Sequence, residues 1–468
     1  MGIHTVEKIG GTSMSRFDEL LDNILIGKKK GSELYNRIFV VSAYAGVTNQ
    51  LLEHKKSGTP GVYQKFAKND KSWLSALDEL QIELLRLNKG LEASGLDQEK
   101  AKTFVEDRIK GTKDCLLDLQ RLCSYGHFQL EDYLPVVREL LSSIGEAHSA
   151  FNSVEILNAK GISAYFADLT GWKDTETLPF DEKVKRSFQD VDFSKTLTIA
   201  TGYTKCSEGL MKTFDRGYSE ITFSKIACVT GAKEGIIHKE FHLSSADPNL
   251  VGLDKVAIIG STNFDVADQL ADLGMEAIHP KASKDMENNS IPIRVANAFE
   301  PEHPGTLISK TFKSAKPRVE IITGRTDLIA LEVLDPDMVG ASGYDYQLCG
   351  VLAKNDASYI AKNTNANTIT HYIVKSEANI DNVVEDLRGL FPTARISTEP
   401  VAIVSAIGSN MSFPGFMAKA ATKLADAGIN ILAIDQCMRQ VNMQFVIAVH
   451  DFEEAVKALH AGVVETTP

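Results

Sequence analysis

Two segments near the amino terminus share one pattern, and this pattern constrains the fold more than any other feature of the chain. The first is a short β-like run that ends at Ile9 and is followed by the glycine pair Gly10 and Gly11, then by apolar residues at helical spacing. The second run, RIFVV, ends at Val41 and is followed by small residues and the helix-like VTNQLLEH. A strand, a glycine-rich turn and a helix, twice in succession, predict a parallel α/β sheet.

The remainder of the first 310 residues continues in the same style. The first helix is predicted to begin at Ser15, since Ser15 with Asp18 suits a capping pair. Long amphipathic helices are predicted in KSWLSALDELQIELLRLNKGLEA and LPVVRELLSSIGEAHSAFNSVEILNAKG, between about 60 and 160. Strand patterns return in SAYFADL, TLTIATGY and EGIIHKEFHL, followed by a helix in NFDVADQLADLG and a strand in IPIRVANAF. These segments predict one large α/β domain over residues 1–310.

Two shorter units are predicted after a linker near 305–317, where Pro and Gly precede the Lys-rich SKTFKSAKPR. The first contains LIALEVL, a helix around SGYDYQLCGVLAKND, a strand THYIV and a helix NIDNVVEDLRGLF. The second starts with the strand EPVAIVSAIG and a helix from Pro414 to Ala427, followed by strands NILAID and QFVIAV and a helix FEEAVKALHAG. Both are interpreted as βαββα domains, over residues 318–396 and 400–466.

Composition excludes several classes of partner. The formal net charge is −12, which disfavours nucleic acid and anionic membranes as partners. No run approaches the roughly 18 apolar residues of a membrane span, and the amino terminus does not resemble a signal sequence. Six cysteines are scattered without CxxC pairs, which predicts reduced thiols. We therefore expect a cytoplasmic globular protein.

Lys8 and the glycines after it suit an anion. Glycine lets backbone N–H groups approach a phosphate closely, and a lysine at the strand end supplies a full positive charge to a transferring phosphoryl group. The Walker pattern G-x-x-x-x-G-K-S/T is absent at this position. Taken alone, the same residues also fit an ordinary strand-to-helix turn with an exposed lysine.

A histidine pair offers a rival chemistry. His238 and His242 are four residues apart, as zinc ligands on a helix would be, but their order is H-x-E-x-H and the preceding residues predict a strand. A strand would separate the two rings by roughly 13 Å. No metal site built from protein side chains is therefore predicted.

Further motifs resemble one known family. KIGGTSM is similar to the amino-terminal signature of aspartate kinases, which are members of the amino acid kinase family. Six more segments match that family in the same order: VVSAYAGVTNQL, SSIGEAHSA, FDRGYSE, SSADPNLV, MEAIHPKA and IPIRVANAFEPEHPGTLI. The two tail units resemble ACT domains, which are small ligand-binding modules, and NMSFPGFMAKAATKLADAGINI resembles the turn and helix that bind amino acids there. The resemblance covers nearly the whole chain.

The resemblance implies an amino-acid-kinase fold, with a mainly parallel sheet flanked by helices, and it implies roles for matched residues. Lys8, Gly10, Gly11 and Arg216 would be catalytic. The aspartate site would include Ser42, Gly46, Thr48, Glu146, Arg216, Ser219 and Glu220. The nucleotide site would include Lys8, Gly10, Gly11, Thr12, Ser13, Lys239, Glu240, Ser245 and Asp247. An effector would contact Asn410, Ser412, Phe413, Asn430 and Ile431, although Met411, Phe413 and Met443 also suit a hydrophobic core.

Departures from the family pattern concentrate on the nucleotide side. Glu220 stands where the family has Asp, Asn249 where it has Arg, and Glu276 where it has Lys, a loss that Lys281 or Lys284 would offset. HKEFHLSSADPN is also one residue shorter than the family segment. It resembles a divergent branch of aspartate kinases associated with ectoine synthesis.

The resemblance implies an enzyme that uses ATP and Mg²⁺ to convert L-aspartate into L-aspartyl 4-phosphate. Its product would serve lysine, threonine and methionine synthesis, or ectoine synthesis. The ACT pair implies homodimers or higher oligomers and an amino-acid effector, lysine or threonine. The alternative function is an amino-acid sensor whose kinase domain is inactive. Another amino acid kinase, such as an N-acetylglutamate kinase, is disfavoured because it needs no pocket for a free α-ammonium group.

Overall fold

The computed structural model describes residues 2–55, 57–214, 217–275, 277–375 and 379–464. Contacts divide the chain into two compact units. The first unit comprises Met1–His242 and Ile278–Lys310, and the second comprises Leu243–Ala277 and Thr311–Pro468. The segment Leu243–Ala277, which was predicted to belong to the large α/β domain, therefore groups with the carboxy-terminal unit.

The strands alternate with helices in the first unit, and the two longest strands are in the second. Among the described residues the strands are β1 (Thr5–Ile9), β2 (Arg37–Val41), β3 (Ala164–Ala167), β4 (Leu197–Thr201), β5 (Glu234–Lys239), β6 (Ser261–Thr262), β7 (Ile293–Asn297), β8 (Thr306–Ile308), β9 (Ile321–Leu334), β10 (Tyr359–Thr364), β11 (Thr368–Val374), β12 (Arg395–Ile407), β13 (Ala433–Gln436) and β14 (Asn442–Ala448).

The α-helices range from one turn to seven. Those among the described residues are α1 (Gly11–Met14), α2 (Phe17–Leu20), α3 (Val47–Leu51), α4 (Val62–Ala67), α5 (Trp73–Gly90), α6 (Gln98–Cys123), α7 (Leu134–Ala159), α8 (Phe180–Phe188), α9 (Leu210–Phe214), α10 (Tyr218–Thr230), α11 (Pro248–Val251), α12 (Phe264–Asp272), α13 (Pro280–Asn288), α14 (Tyr344–Lys354), α15 (Ile380–Leu390), α16 (Phe416–Asp426) and α17 (Phe452–Leu459).

The sheet of the first unit has β1 at its centre. Its strands follow the order β3-β4-β2-β1-β5-β7-β8, and every pair is parallel except β7 with β8. The central strands are buried on both sides, which explains why RIFVV is continuously apolar after its first residue. This arrangement confirms the predicted amino-acid-kinase sheet.

A buried charged network joins the three central strands. Glu7 on β1 accepts hydrogen bonds from Arg37 on β2, at 2.8 Å, and pairs with Nε2 of His238 on β5, also at 2.8 Å. Burial acts to raise the pKa of Glu7, but the Arg37 guanidinium and His238 outweigh it, so the pKa is held well below its usual range. His238 is therefore an interior partner of Glu7, while His242 pairs separately with Glu300.

The second unit contains one six-stranded antiparallel sheet in the order β10-β11-β9-β12-β14-β13. Its two longest strands, β9 and β12, run beside each other over most of their lengths. One half of each strand belongs to the βαββα repeat with β10 and β11, and the other half to the repeat with β13 and β14. The two predicted ACT-type repeats are therefore present, and they share their central strands.

Some predicted details differ from the structure. The helix predicted from Ser15 is present as α2 and begins two residues later, at Phe17, and a one-turn helix that was not predicted, α1, precedes it. The predicted linker contains β8, which pairs with β7. One strand of the first βαββα repeat, β10, was not predicted, because its sequence YIAKNT is too polar to signal a strand. No helix in the described part of the chain has both the length and the apolarity that crossing a membrane requires.

Candidate active site

The predicted phosphate loop and the residues predicted to bind the substrate aspartate meet at one edge of the parallel sheet. Ile9, Val41 and His238 are in register on adjacent strands, and Thr201 is in register with Val41. The loops that follow these strands therefore leave the same sheet edge. The crevice at the carboxyl ends of parallel strands is the usual ligand site of such sheets.

Gly11 brings the phosphate loop close to the neighbouring loop. A side chain at Gly11 would place Cβ only 2.6 Å from the carbonyl oxygen of Ala43. Gly11 is also the first residue of α1, whose first-turn N–H groups have no acceptor within the helix. Glycine is required here because the two loops touch through their backbones.

Glu146 projects from α7 into the interior beside this sheet edge and is only 2% exposed. The preceding Gly145 allows the helix to approach, since a Cβ there would lie 2.7 Å from Cβ of Ala43. Burial raises the pKa of Glu146 to about 8, against the opposing effects of Ser219 and Lys8. Its Oε2 atom is buried with no hydrogen-bond partner among the described residues.

A chain of hydroxyl groups connects Glu146 to the loop after β2. Ser219 Oγ donates to Glu146 Oε1 at 2.8 Å, and Ser42 Oγ donates to Ser219 Oγ at 3.3 Å. Gly202, at the end of β4, keeps the space beside this chain open. A Cβ at Gly202 would lie 2.9 Å from both Glu146 Oε2 and Ser219 Oγ. These residues form a polar cluster in which Glu146 Oε2 has no hydrogen-bond partner in the described part of the chain.

Lys8 and Glu220 form an ion pair near this cluster, with 3.2 Å between Nζ and Oε1. Glu220 Oε2 also accepts a hydrogen bond from the backbone N–H of His279 at 2.6 Å. Burial acts to raise the pKa of Glu220, but Lys8 and Lys239 outweigh it and the pKa is lowered. Lys8 is therefore held in place by a carboxylate that remains ionised.

Two further nucleotide-side residues are brought together. Ser13, which is fully buried in α1, donates to Glu240 Oε1 at 2.7 Å. Glu240 follows β5, where Lys239 is the last residue. Thr12 beside them is exposed. This side of the crevice therefore has both cationic groups, Lys8 and Lys239, and acidic groups, Glu220 and Glu240.

Other predicted residues have simpler placements. Gly46 has φ 85°, a left-handed conformation that favours glycine, and it caps α3. Thr48 lies half-buried in the first turn of that helix. Arg216 and Glu276 lie outside the described residues. Lys281, one of the two lysines predicted to offset Glu276, has its Nζ 4.6 Å from the centre of the Phe214 ring.

Ser245 and Asp247 belong to the second unit. Ser245 is buried, and its hydroxyl contacts His460 Nε2 at 2.8 Å and the backbone N–H of Ala257 at 2.9 Å. Asp247 caps α11 by accepting a hydrogen bond from the backbone N–H of Asn249. Both side chains therefore have local structural partners.

Three of the predicted effector residues, Asn410, Ser412 and Phe413, precede α16, and the other two, Asn430 and Ile431, follow it. Asn410 donates to the carbonyl oxygen of Ser314 at 2.9 Å, and the ring of Phe413 lies 5.3 Å from that of Phe416. Ser412 and Asn430 are exposed, and Ile431 is half-buried. Met411 and Met443 are in the hydrophobic core of this repeat, which is the alternative interpretation of those two residues.

Sequence reasoning missed two contributors to the site. Gly202 was overlooked although a glycine directly after the strand TLTIAT is a signal for close backbone approach. His279 contributes its backbone N–H, which carries no sequence signal, although its motif MEAIHPKA was recognised.

Comparisons with known proteins agree with this geometry. The amino acid kinase family matches residues 4–297, and the ACT domain family matches residues 404–462. Aspartate kinase Ask_Ect of Stutzerimonas stutzeri is 53% identical over 465 residues, which cover 99% of this chain and 98% of the relative. Chloroplastic aspartokinase 1 of Arabidopsis thaliana is 25% identical over 490 residues, covering 99% and 81%.

A solved structure has the same fold. E. coli aspartokinase III, in complex with aspartate and ADP, superposes with a TM-score of 0.73 at 20% identity, covering 98% of this chain and 100% of that one. The fold and the crevice therefore define a member of the amino acid kinase family. Within that family, the whole-length relative at 53% identity shows that the chain belongs to the aspartate kinases.

Proposed function

We propose that this chain transfers the γ-phosphoryl group of ATP to the β-carboxylate of L-aspartate, giving L-aspartyl 4-phosphate and ADP. One observation carries the proposal: a buried carboxylate with an unsatisfied oxygen, Glu146, lies beside a strand-end lysine at the sheet edge where ligands bind. The carboxylate suits the α-ammonium group of an amino acid, and the lysine suits a phosphoryl group.

The α-ammonium group of aspartate would bind between Glu146 and Gly202. A cation there compensates the burial of the Glu146 carboxylate, so the proton that Glu146 holds near neutral pH is released on binding. Ser219 and Ser42 would hold polar atoms of the same substrate. Arg216 is proposed for a substrate carboxylate, because its planar fork pairs with two oxygens at once.

Chemistry at the β-carboxylate needs no general base, since the group is already an anion at neutral pH. One carboxylate oxygen forms a bond to the γ-phosphorus while the bond from that phosphorus to the β–γ bridging oxygen breaks, and ADP leaves. Lys8 would stabilise the charge that spreads over the transferring oxygens. Gly10 and Gly11 would let backbone N–H groups approach the phosphates.

ATP is expected to arrive with Mg²⁺, which neutralises phosphate charge in phosphoryl transfer. Mg²⁺ prefers oxygen ligands and keeps several waters. Glu220 and Glu240, whose carboxylates lie against Lys8 and Ser13, give the crevice the acidic oxygens that suit those waters. Phosphate oxygens and water would supply the direct ligands. Thr12, Lys239, Ser245 and Asp247 are further proposed nucleotide contacts.

Regulation and assembly are proposals of the same kind. E. coli aspartokinase III has been solved with lysine and aspartate, and the chain has the paired βαββα repeats of an ACT regulatory region. An amino-acid effector, lysine or threonine, is proposed at Asn410, Ser412, Phe413, Asn430 and Ile431, with homodimers formed through the same repeats. The product is proposed to serve either the aspartate-derived amino acids or ectoine.

An acyl phosphate can be trapped directly. The protein is incubated with ATP, Mg²⁺ and hydroxylamine, together with L-aspartate, L-glutamate or N-acetyl-L-glutamate, and hydroxamate is measured. We expect product with L-aspartate and little with the other two acids. Binding of an amino acid without hydroxamate from any acid would overturn the proposal in favour of the sensor alternative.

A further inference from the structure

A second cluster of reactive side chains lies in the second unit, on α14 and β11. Asp345 and Cys349 are one turn apart on α14, and His371 is on the strand that this helix covers. Cys349 Sγ lies 3.8 Å from Asp345 Oδ1 and 4.0 Å from His371 Nε2. His371 Nε2 and Asp345 Oδ1 are also 4.0 Å apart. Three different donor atoms therefore face one point.

The histidine of this cluster is poorly satisfied by the protein alone. His371 is completely buried, and its Nδ1 has no hydrogen-bond partner among the described residues. Within the described ranges of the chain, its Nε2 has only the Cys349 sulfur, at the outer limit for a sulfur hydrogen bond, and a carboxylate oxygen beyond ordinary hydrogen-bond distance. Burying a polar group without a good partner costs stability, so the position requires an explanation.

Comparison of the two βαββα repeats shows that the fold does not need these residues. Both α14 and α16 begin after a glycine with a left-handed φ, Gly343 at 81° and Gly415 at 83°. Counting from those glycines, the positions of Asp345 and Cys349 are occupied in the other repeat by Met417 and Ala421. The same two helix positions thus have apolar side chains in one repeat and side chains that can bind a metal in the other.

We propose that Asp345, Cys349 and His371 bind one divalent cation of the Zn²⁺ class. Thiolate, imidazole and carboxylate together are the ligand set of zinc, and separations of 3.8 to 4.0 Å need only small movements to reach tetrahedral coordination. Binding takes the proton from the Cys349 thiol and releases it to solvent. Asp345 is 45% exposed, so water completes the fourth position.

One protein group competes with the cation. Lys362 Nζ lies 2.5 Å from Asp345 Oδ2, and its side chain is 32% exposed. The ammonium group neutralises Asp345 until a metal displaces it into solvent. Occupancy would fix α14 to β11 at a point where the other repeat has no ligand side chains on its helix. The site depends on none of the residues proposed for phosphoryl transfer.

The test uses the full chain, with Zn²⁺ affinity measured by competition with a chromophoric chelator. Co²⁺ serves as a second probe, because thiolate ligation produces a charge-transfer absorption band. We expect saturable binding of one ion, weakened roughly 100-fold or more in Cys349→Ala and in Asp345→Asn. Lys362→Met should tighten binding several-fold because the competing ammonium group is lost. Cys437→Ala removes an exposed cysteine of the same unit and should change nothing.

Thermal unfolding of each variant without metal separates loss of ligation from loss of folding, and Asp345 and Cys349 are partly exposed, so their variants should fold. The proposal is overturned if Co²⁺ gives no thiolate band, or if Cys349→Ala binds Zn²⁺ as tightly as the parent. It is also overturned if Lys362→Met weakens binding.

Discussion

The two sides of the crevice both contain a buried glutamate, but the protein treats the two carboxylates in opposite ways. On the aspartate side, the pKa of Glu146 is raised to about 8 by burial, and its Oε2 has no partner among the described residues. On the phosphate side, the pKa of Glu220 is lowered because Lys8 and Lys239 outweigh its burial. Burial dominates the pKa of Glu146 even though Lys8 acts to lower it, whereas two lysines outweigh the burial of Glu220.

The difference separates binding from chemistry. A buried carboxylate whose pKa is raised is stabilised by a ligand that brings a positive charge, so we propose that Glu146 binds the ammonium group. A site whose charges are already balanced holds its lysine in a fixed position before the nucleotide arrives, which is the pre-organisation that charge stabilisation requires. Changes on the phosphate side should therefore affect kcat, and changes on the aspartate side should affect KM.

Replacing the lysine should have the largest effect. In Lys8→Ala we expect kcat to fall by about 10³-fold or more, because the transferring phosphoryl group loses its adjacent positive charge. The affinity for aspartate, measured by calorimetry, should change far less. Lys30→Ala, at an exposed lysine, is the matched control. A kcat within tenfold of the parent would remove Lys8 from the chemistry.

The next largest effect is expected from removing the charge of Glu146. Glu146→Gln keeps the shape and a hydrogen bond from Ser219, but it removes the negative partner of the ammonium group. We expect KM for aspartate to rise about 100-fold with a smaller change in kcat, as measured by steady-state kinetics. Glu155→Gln alters a glutamate of the same helix that pairs with Lys100. It should behave as the parent does, and a similar KM for both variants would contradict the assignment.

The pH dependence of KM follows from the same carboxyl group. The raised pKa means that Glu146 of the free protein is largely protonated below about pH 8. Aspartate needs the ionised form, so its KM should fall by up to about tenfold per pH unit between pH 6 and 8. The Glu146→Gln variant should lack this slope. A KM for the parent that is constant across this range would show that Glu146 is ionised before aspartate binds.

The smallest effect is expected on the phosphate side, at Glu220, which stands where the family has Asp. Glu220→Asp restores the family residue but shortens its reach to Lys8 and to the His279 N–H. We expect kcat to fall about three- to tenfold, since one hydrogen bond is weakened while the charge remains. Glu220→Gln, which removes the charge and keeps the length, should cost more. The reverse order of the two variants would indicate that length matters more than charge.

Much of this arrangement was predictable because its signals are local. The apolar runs ending at Ile9 and Val41 and the small residues after them predicted parallel strands, and their shared sheet edge brings Lys8 and Ser42 near Ser219 and Glu146. The short helix α1 was missed because glycine was interpreted only as a breaker. Gly11 begins α1, and it is glycine because it touches the carbonyl of Ala43.

Long-range contacts account for the other misses. No local pattern indicates that Glu220 pairs with a lysine 212 positions away, or that Gly202 borders Glu146. The helix α12 was predicted correctly, but no local pattern indicates that its buried face packs in the hydrophobic cluster of the second unit, with which the segment Leu243–Ala277 groups. Strand β10 has a polar, half-exposed sequence that packing alone explains.

The central claim is that Glu146 exchanges its proton for the ammonium group of aspartate. Titration calorimetry of Lys8→Ala with L-aspartate near pH 7, in buffers of different ionisation enthalpy, counts the protons that move on binding without any turnover. We predict that about one proton is released per aspartate bound, and that Glu146→Gln in the same background releases none. Binding with no proton release from Lys8→Ala would contradict the account.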